Sequence, residues 1–293
     1  MTRPTILLTG ANGQVGFELQ RTLAPHGAVI ACDRSKLDLG DRDALVGAVR
    51  STRPHLIVNA AAYTAVDRAE SEVARDEAVN TIAPAVLAEE AKRIDAVLMH
   101  FSTDYVFDGA SAVPYDELAP THPLNVYGRT KRDGERAIAA IGGANLIFRT
   151  SWVYGLRGGN FLLTMLRLAA EREELRVVAD QSGVPNWSQD LAEAIATLVG
   201  QGVLALVERA GLYHLSASGA TSWFDFARAI VGDVERPRVV PITTAEYPTP
   251  ARRPAYGVLA NAKFERTFGF ALPTWHDALT RCLATRRGIQ SNS

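Results

Sequence analysis

The sequence predicts an α/β fold in which a doubly wound parallel sheet is followed by a smaller C-terminal lobe. Three observations predict it: apolar runs that alternate with helical patterns, a glycine-rich turn after the first run, and a change of rhythm past residue 150. The runs at 5–9, 28–32, 56–59, 96–101 and 145–148 are almost continuously apolar. Strands of a parallel sheet look this way when helices cover both of its faces. Helical patterns over 14–24, 41–52, 73–93 and 124–141 separate them, and such strand–helix–strand units close by right-handed crossovers. Residues 1–150 are assigned to this sheet.

Beyond it, helical patterns at 160–173, 188–201 and 222–232 are interrupted by loops such as Pro248-Thr-Pro-Ala-Arg-Arg-Pro254. An amphipathic segment near 274–285 precedes a polar tail. Residues 151–293 are read mainly as a substrate lobe, with some segments returning to the main sheet. Composition narrows the function classes. With 31 basic and 32 acidic residues the chain has no global field to draw nucleic acid. No apolar run is long enough to span a bilayer, and the N-terminal one is too short for a secretory signal, so a cytoplasmic protein without a membrane partner is expected. Two cysteines, Cys32 and Cys282, build no disulfide framework, and the histidines lack metal-ligand spacing, so no metal is expected.

The first strand ends in Gly10-Ala-Asn-Gly13-Gln-Val-Gly16 and runs into a helix. Glycines at Gly10, Gly13 and Gly16 let the backbone turn tightly and approach a pyrophosphate, which then rests at the positive end of that helix. The spacing is G-x-x-G-x-x-G, and its position between strand and helix gives it weight. Asp33, after the second strand, stands where a carboxylate binds the adenosine ribose, which favours NADH. Arg34 beside it can meet a 2′-phosphate, which keeps NADPH open. Asp38 and Leu39 flank the expected adenine position. The first domain is therefore read as a dinucleotide-binding domain of Rossmann type.

Tyr127 and Lys131 lie four residues apart and project from one helix face. A free phenol, with a pKa near ~10, exchanges protons poorly at neutral pH, and a neighbouring ammonium is expected to lower that value. Ser102 and Thr103 end the fourth strand at its carboxyl side, where such sheets bind ligands, and a hydroxyl there can bond both a substrate carbonyl and the phenol. Asn160 is placed to cap a helix or to touch substrate. Arg252 and Arg253 carry guanidinium groups suited to a diphosphate. Trp152 can stack on a ligand or pack in the core.

These residues resemble the extended short-chain dehydrogenase/reductases and, within them, the dTDP-4-dehydrorhamnose reductase family. The blocks that carry the resemblance are Gly10–Gln20, Val58–Asp67, Ser102–Phe107, Pro123–Gly128, Phe148–Tyr154 and Tyr247–Pro254. The resemblance implies Thr103, Tyr127 and Lys131 as catalytic residues. It implies Gly13, Gln14, Val15, Asp33, Asp38, Leu39, Ala62, Tyr63, Thr64 and Phe101 around an NADPH or NADH cofactor, with Tyr127 and Lys131 reaching it as well. It implies Thr103, Asp104, Tyr127 and Trp152 on a nucleotide-sugar, with Val66 near its deoxysugar. Related dehydratases carry an Asp-Glu pair after the threonine. Here the run is Thr103-Asp104-Tyr105, so reduction is favoured over water loss.

Some family members join subunits through a magnesium ion held by glutamates. Glu18 fits one such position, Gln189 stands at another beside Asp190, and no glutamate follows Glu265. A homodimer is left open, and a metal bridge within it is not expected. Two other readings stay open: a different reductase or epimerase of nucleotide sugars, and a non-catalytic dinucleotide-binding regulatory subunit.

Overall fold

The computed structural model describes residues 3–232, 235 and 237–291. The ends of the expected domain bounds, Met1, Thr2, Asn292 and Ser293, lie outside them. Strands Thr5–Thr9 (β1), Ala28–Cys32 (β2), Leu56–Asn59 (β3), Val97–Thr103 (β4) and Asn145–Thr150 (β5) form where the apolar runs predict. The last two continue two residues past the apolar runs, so Thr103 is the final residue of β4. A sixth strand, Gly211–His214 (β6), comes from the second half of the chain. The sheet order is β6-β5-β4-β3-β1-β2, and every neighbouring pair is parallel. After β2 the chain crosses β1 to continue at β3. That reversal opens a crevice at the carboxyl ends of the strands.

Successive side chains of a strand face opposite ways, and both faces of this sheet are buried. Leu8, Val58, Met99 and Phe148 point to one face, Leu7, Ile57, Leu98 and Ile147 to the other. Helices Gln14–Leu23 (α1) and Ser188–Gly200 cover the first face, through Leu19, Leu191 and Ile195. Helices Arg42–Thr52 (α2), Ala83–Arg93 and Val126–Ile141 cover the second, through Leu45, Leu87 and Ile138. The fold is thus α/β and doubly wound.

The pattern over 73–93 predicts one helix, and the structure divides it. Val73–Glu77 (α3) passes through a π-turn, Ala78–Ile82, into Ala83–Arg93 (α4). Pro84, in the first turn of α4, brings no backbone N–H, which removes a bond of the regular ladder at that point. The π-turn aims Asn80 at the loop after β3: its side chain takes the Tyr63 N–H at 3.0 Å and gives an N–H to the Tyr63 carbonyl at 3.0 Å. The helix Val126–Ile141 (α5) starts on Asn125, whose side chain accepts the Gly128 N–H.

In the second half, Phe161–Glu171 (α6), Ser188–Gly200 (α7), Trp223–Val231 (α8) and Trp275–Ser291 (α9) match the predicted helical patterns within two residues, except that α9 runs through much of the segment read as a tail. Tyr154, Leu162, Trp187, Phe226 and Leu279 form a separate core there. A parallel pair, Glu174–Val178 with Arg238–Ile242, is not legible in the sequence because Arg176 breaks the first run and Pro241 the second. Among the described residues no helix is long and apolar enough to cross a membrane.

Candidate active site

The crevice beside β1 holds a cavity of about 480 Å³. Gly10 turns out of β1 with a φ of +72°, a conformation that costs glycine little. Gly13 caps α1 without offering a side chain, so the first amides of α1 have no side-chain partner from the cap. They face a cavity lined by Gly10, Gly13, Gln14 and Val15. Gly16 lies beneath the turn, not in the lining: a Cβ there would stand 2.0 Å from the Gly10 carbonyl oxygen. Its expected role as a cofactor contact becomes one of packing, because helix and strand meet too closely for any side chain.

Asp33 accepts from the Ser35 N–H at 3.0 Å, the Ser35 hydroxyl at 2.6 Å, the Lys36 N–H at 3.2 Å and the Asn12 amide at 2.9 Å. These bonds, Ser35 first, hold its carboxyl below the usual range. Asp33, Asp38, Leu39, Ala62, Tyr63, Thr64, Phe101, Tyr127 and Lys131 all line the same cavity. So do Asn12, Arg34, Arg75 and Thr150, of which only Arg34 drew notice in the sequence.

The two hydroxyls at the end of β4 part company. Ser102 donates to Glu135, which Arg149 grips at 2.9 and 2.7 Å in a buried ion pair, so Ser102 is committed to structure. Thr103 stands beside the Tyr127 phenol, accepts the Tyr105 N–H at 3.2 Å and donates to Asp104 at 3.1 Å. Burial pushes the Tyr127 phenol well above its usual range, with Thr103 opposing. The expected lowering by Lys131 is not met here. The Lys131 amine is buried and turned toward β4, giving an N–H to the Phe101 carbonyl at 2.6 Å and lying 3.1 Å from His100 Nε2. Burial brings Lys131 down to about 8, against the fields of Glu135 and Asp76. Asp104 is pushed up to about 7 by burial, and its Oδ2 has no hydrogen-bond partner among the described residues.

A second cavity of about 520 Å³ lies in the lobe, lined by Phe161, Arg167, Arg172, Arg176, Tyr247 and Arg253 among others. Arg253 bonds both oxygens of Asp67 at 3.0 and 2.8 Å. Arg252 instead has an exposed side chain and serves through its carbonyl, which takes an N–H from Asn125 at 2.8 Å. Trp152 adopts a φ of +43° and stacks on Trp223, 3.5 Å between ring centroids, and Trp223 lines the second cavity. Positive φ in a residue this bulky is uncommon and marks a constrained position. Asn160 is a cap: it accepts the Leu163 N–H at 3.1 Å and donates to the Gly155 and Arg157 carbonyls. Val66 opens a short helical turn, Val66–Ala69, and lines neither cavity.

Residues 4–287 match the family model described as the RmlD substrate binding domain. The chain belongs to this family. The dTDP-4-dehydrorhamnose reductase of Burkholderia thailandensis is 48% identical over 293 residues, covering 95% of this chain and 97% of that one. Its counterpart from Escherichia coli K12 is 46% identical, covering 95% and 96%. The structure of the Bacillus anthracis dTDP-4-dehydrorhamnose reductase in complex with NADP matches with a TM-score of 0.90 at 37% identity, over 97% of this chain and 100% of that one.

Set beside this RmlD-type scaffold, the magnesium positions named from the sequence do not fit an ion. Arg21 reaches Glu18 at 3.6 Å and Glu193 at 3.9 Å, and Gln189 donates to Glu193 at 2.8 Å. Arg281 takes both oxygens of Asp190. Guanidinium groups already supply the positive charge that a divalent ion would bring. The cofactor cleft is different: its glycine turn, open helix amides and the buried Gln14 Oε1, without a partner among the described residues, suit a dinucleotide.

Proposed function

We infer that this chain is an NAD(P)H-dependent oxidoreductase, a dTDP-4-dehydrorhamnose reductase of dTDP-rhamnose biosynthesis. The observation that carries this reading is that Tyr127 and Lys131 line one dinucleotide-sized cleft, with Thr103 beside the phenol just behind the lining, in a chain of this family. NADPH or NADH, when bound, supplies the hydride for C4 of dTDP-4-dehydro-L-rhamnose. Tyr127 gives its phenolic proton to the C4 oxygen, and its burial keeps that proton in place until charge develops on the substrate. Thr103 orients the phenol and the sugar carbonyl. Lys131 steadies the nicotinamide ribose and the phenolate left behind.

The nucleotide arm of the substrate belongs in the second cavity. Its arginines suit a diphosphate, and Arg253 is already fixed by Asp67. The Trp152–Trp223 stack, whose Trp223 borders this cavity, would offer a flat wall to a ring of the substrate. The lobe of residues 151–293 acts as the substrate domain and residues 1–150 as the cofactor domain. β6 and α7 of the former complete the sheet of the latter.

The test is to make dTDP-4-dehydro-L-rhamnose enzymatically, add the protein, and follow NADH and NADPH absorbance separately. Consumption of reductant with appearance of dTDP-L-rhamnose is expected. Tyr127→Phe should lower kcat by roughly 10²–10⁴-fold and leave NADPH affinity within a few-fold, read by cofactor fluorescence. Isomerised sugar with no net loss of reductant would replace this reading with an epimerase.

A further inference from the structure

A row of buried polar side chains crosses three neighbouring strands of the sheet. Thr9 on β1, Asn59 on β3 and His100 on β4 stand in register on neighbouring strands, and all three are buried. Thr9 bonds Asn59 Oδ1 at 2.7 Å, Asn59 Nδ2 meets His100 Nδ1 at 3.0 Å, and His100 Nε2 meets Lys131 Nζ at 3.1 Å. The row thus ends on a residue of the cofactor cleft. Polar groups this deep are costly unless each donor finds an acceptor, and that requirement fixes where the protons are.

The Ala61 backbone N–H, which can only donate, points at Asn59 Oδ1 at 3.3 Å. The carboxamide therefore turns its oxygen toward Ala61 and Thr9 and its NH₂ toward His100. His100 Nδ1 must then be the accepting nitrogen, so the ring proton sits on Nε2 and faces Lys131. A neutral amine satisfies that geometry completely: it gives one N–H to the Phe101 carbonyl and takes the Nε2–H on its lone pair. An ammonium has no lone pair to offer. It can be accommodated only if His100 moves its proton to Nδ1, and that in turn requires Asn59 to turn over and abandon the Ala61 N–H.

We propose that His100 is a positioning residue that sets the charge of Lys131, and that Asn59 holds it in the tautomer favouring the neutral amine. The other charged groups facing Lys131 are Asp76 of α3 and Glu135 of its own helix, the latter neutralised by Arg149 of β5; Tyr127 faces it from the same cleft. None of them supplies the tautomer constraint. Gain of a proton at Lys131 is coupled to a change of tautomer at His100, and no covalent step is added. The inference rests on the reading of Tyr127 and Lys131 as the reacting pair, but its decisive readout does not.

In the full-length chain, the Lys131 side-chain nitrogen and the His100 ring nitrogens are followed by ¹⁵N NMR across pH. His100→Gln and Asn59→Asp provide the comparison. Gln presents an amide oxygen to an ammonium, and Asp accepts a proton from Nδ1, freeing Nε2 to accept from Lys131. Both should raise the Lys131 titration midpoint, by roughly one pH unit, and the alkaline limb of kcat/KM for sugar reduction should move up with it. The wild-type ring should carry its proton on Nε2 above the midpoint and on Nδ1 below it. A purely structural row would instead lower the melting temperature or kcat at every pH and leave both midpoints in place, which overturns the proposal. Absence of any sugar reduction would sink the functional reading alone, because the nitrogen titrations still decide the role of His100.

Discussion

The two cavities are of similar size and are made of different material. One end of the cofactor cleft is built from backbone and small residues: a glycine turn, the first amides of α1, and Ala60, Ala61 and Ala62 after β3. The lobe cavity is built from long side chains, with Arg167, Arg172, Arg176 and Arg253 converging on Phe161 and Trp223. A backbone site is set by how the chain turns, so it is intolerant of added atoms and indifferent to most side-chain chemistry. A side-chain site has the opposite weakness. Substitutions should therefore separate the two arms of the substrate complex.

The largest effect on stability and cofactor affinity together is expected at Gly16, beneath the glycine turn of the cleft. An alanine methyl would lie 2.0 Å from the Gly10 carbonyl oxygen, and neither backbone segment can yield without opening the turn. Forcing an extra methyl into so close a contact costs about 1–3 kcal/mol or more, enough to lower Tm by several degrees in a chain of this length. Gly16→Ala should also weaken NADPH binding about tenfold or more, since the loss of 1.4 kcal/mol is a factor of ten. The KM of the nucleotide-sugar, measured at saturating cofactor, should hold. A change confined to the sugar KM would contradict the division of labour.

Arg253→Leu is the converse. It removes charge-assisted bonds that each contribute about 1.5–3 kcal/mol, so KM for the nucleotide-sugar should rise roughly ten- to hundredfold with NADPH affinity unchanged. Asp67 loses its partner but is partly open to water, so stability should fall little. Arg252→Leu is the control, since its side chain is already in solvent and its carbonyl survives the change. If the two arginines behave alike, the loop acts through its general charge and the cavity lining is irrelevant.

The same contrast explains what could be read from the sequence. Parts of a site written in contiguous residues are legible: the turn from Gly10 to Gly16, the small run after Asn59 and the Tyr127–Lys131 pair each fall within a few residues of chain. Side-chain sites are assembled from afar, and Arg167, Arg172 and Arg176 carry no local sign that they share a cavity with Arg253. His100 was hidden differently. It lies in an apolar strand whose pattern signals core, and only the strand register aligns it with Asn59 and Thr9. Ser102 and Thr103 are alike as adjacent hydroxyls, separated in the sequence by the family resemblance alone, and the structure adds that Ser102 bonds Glu135. β6 is four residues long and begins with glycine, too little apolar pattern to announce a strand.

One corner of the cleft breaks its own rule, and the smallest predicted effect lies there. Around the expected adenosine ribose the lining is side chains again: Asp33, Arg34, Asp38 and Arg75. Asp33 is held rigidly by Ser35, Lys36 and Asn12, a fixed anion suited to ribose hydroxyls and opposed to a 2′-phosphate. Arg34 pairs with Asp38 at 3.3 Å, but both side chains are largely exposed, so the pair is weak and Arg34 can turn to a phosphate at little cost. Arg75 offers a second cation from α3. Neither NADH nor NADPH is then strongly refused. Arg34→Ala should lower kcat/KM with NADPH by roughly threefold, as expected for an exposed charge, and leave NADH untouched. Asp33→Asn should move the ratio the other way by removing the fixed anion. A shift of a hundredfold in either variant would mean that this corner is as rigid as the glycine turn, and that the preference is set by backbone after all.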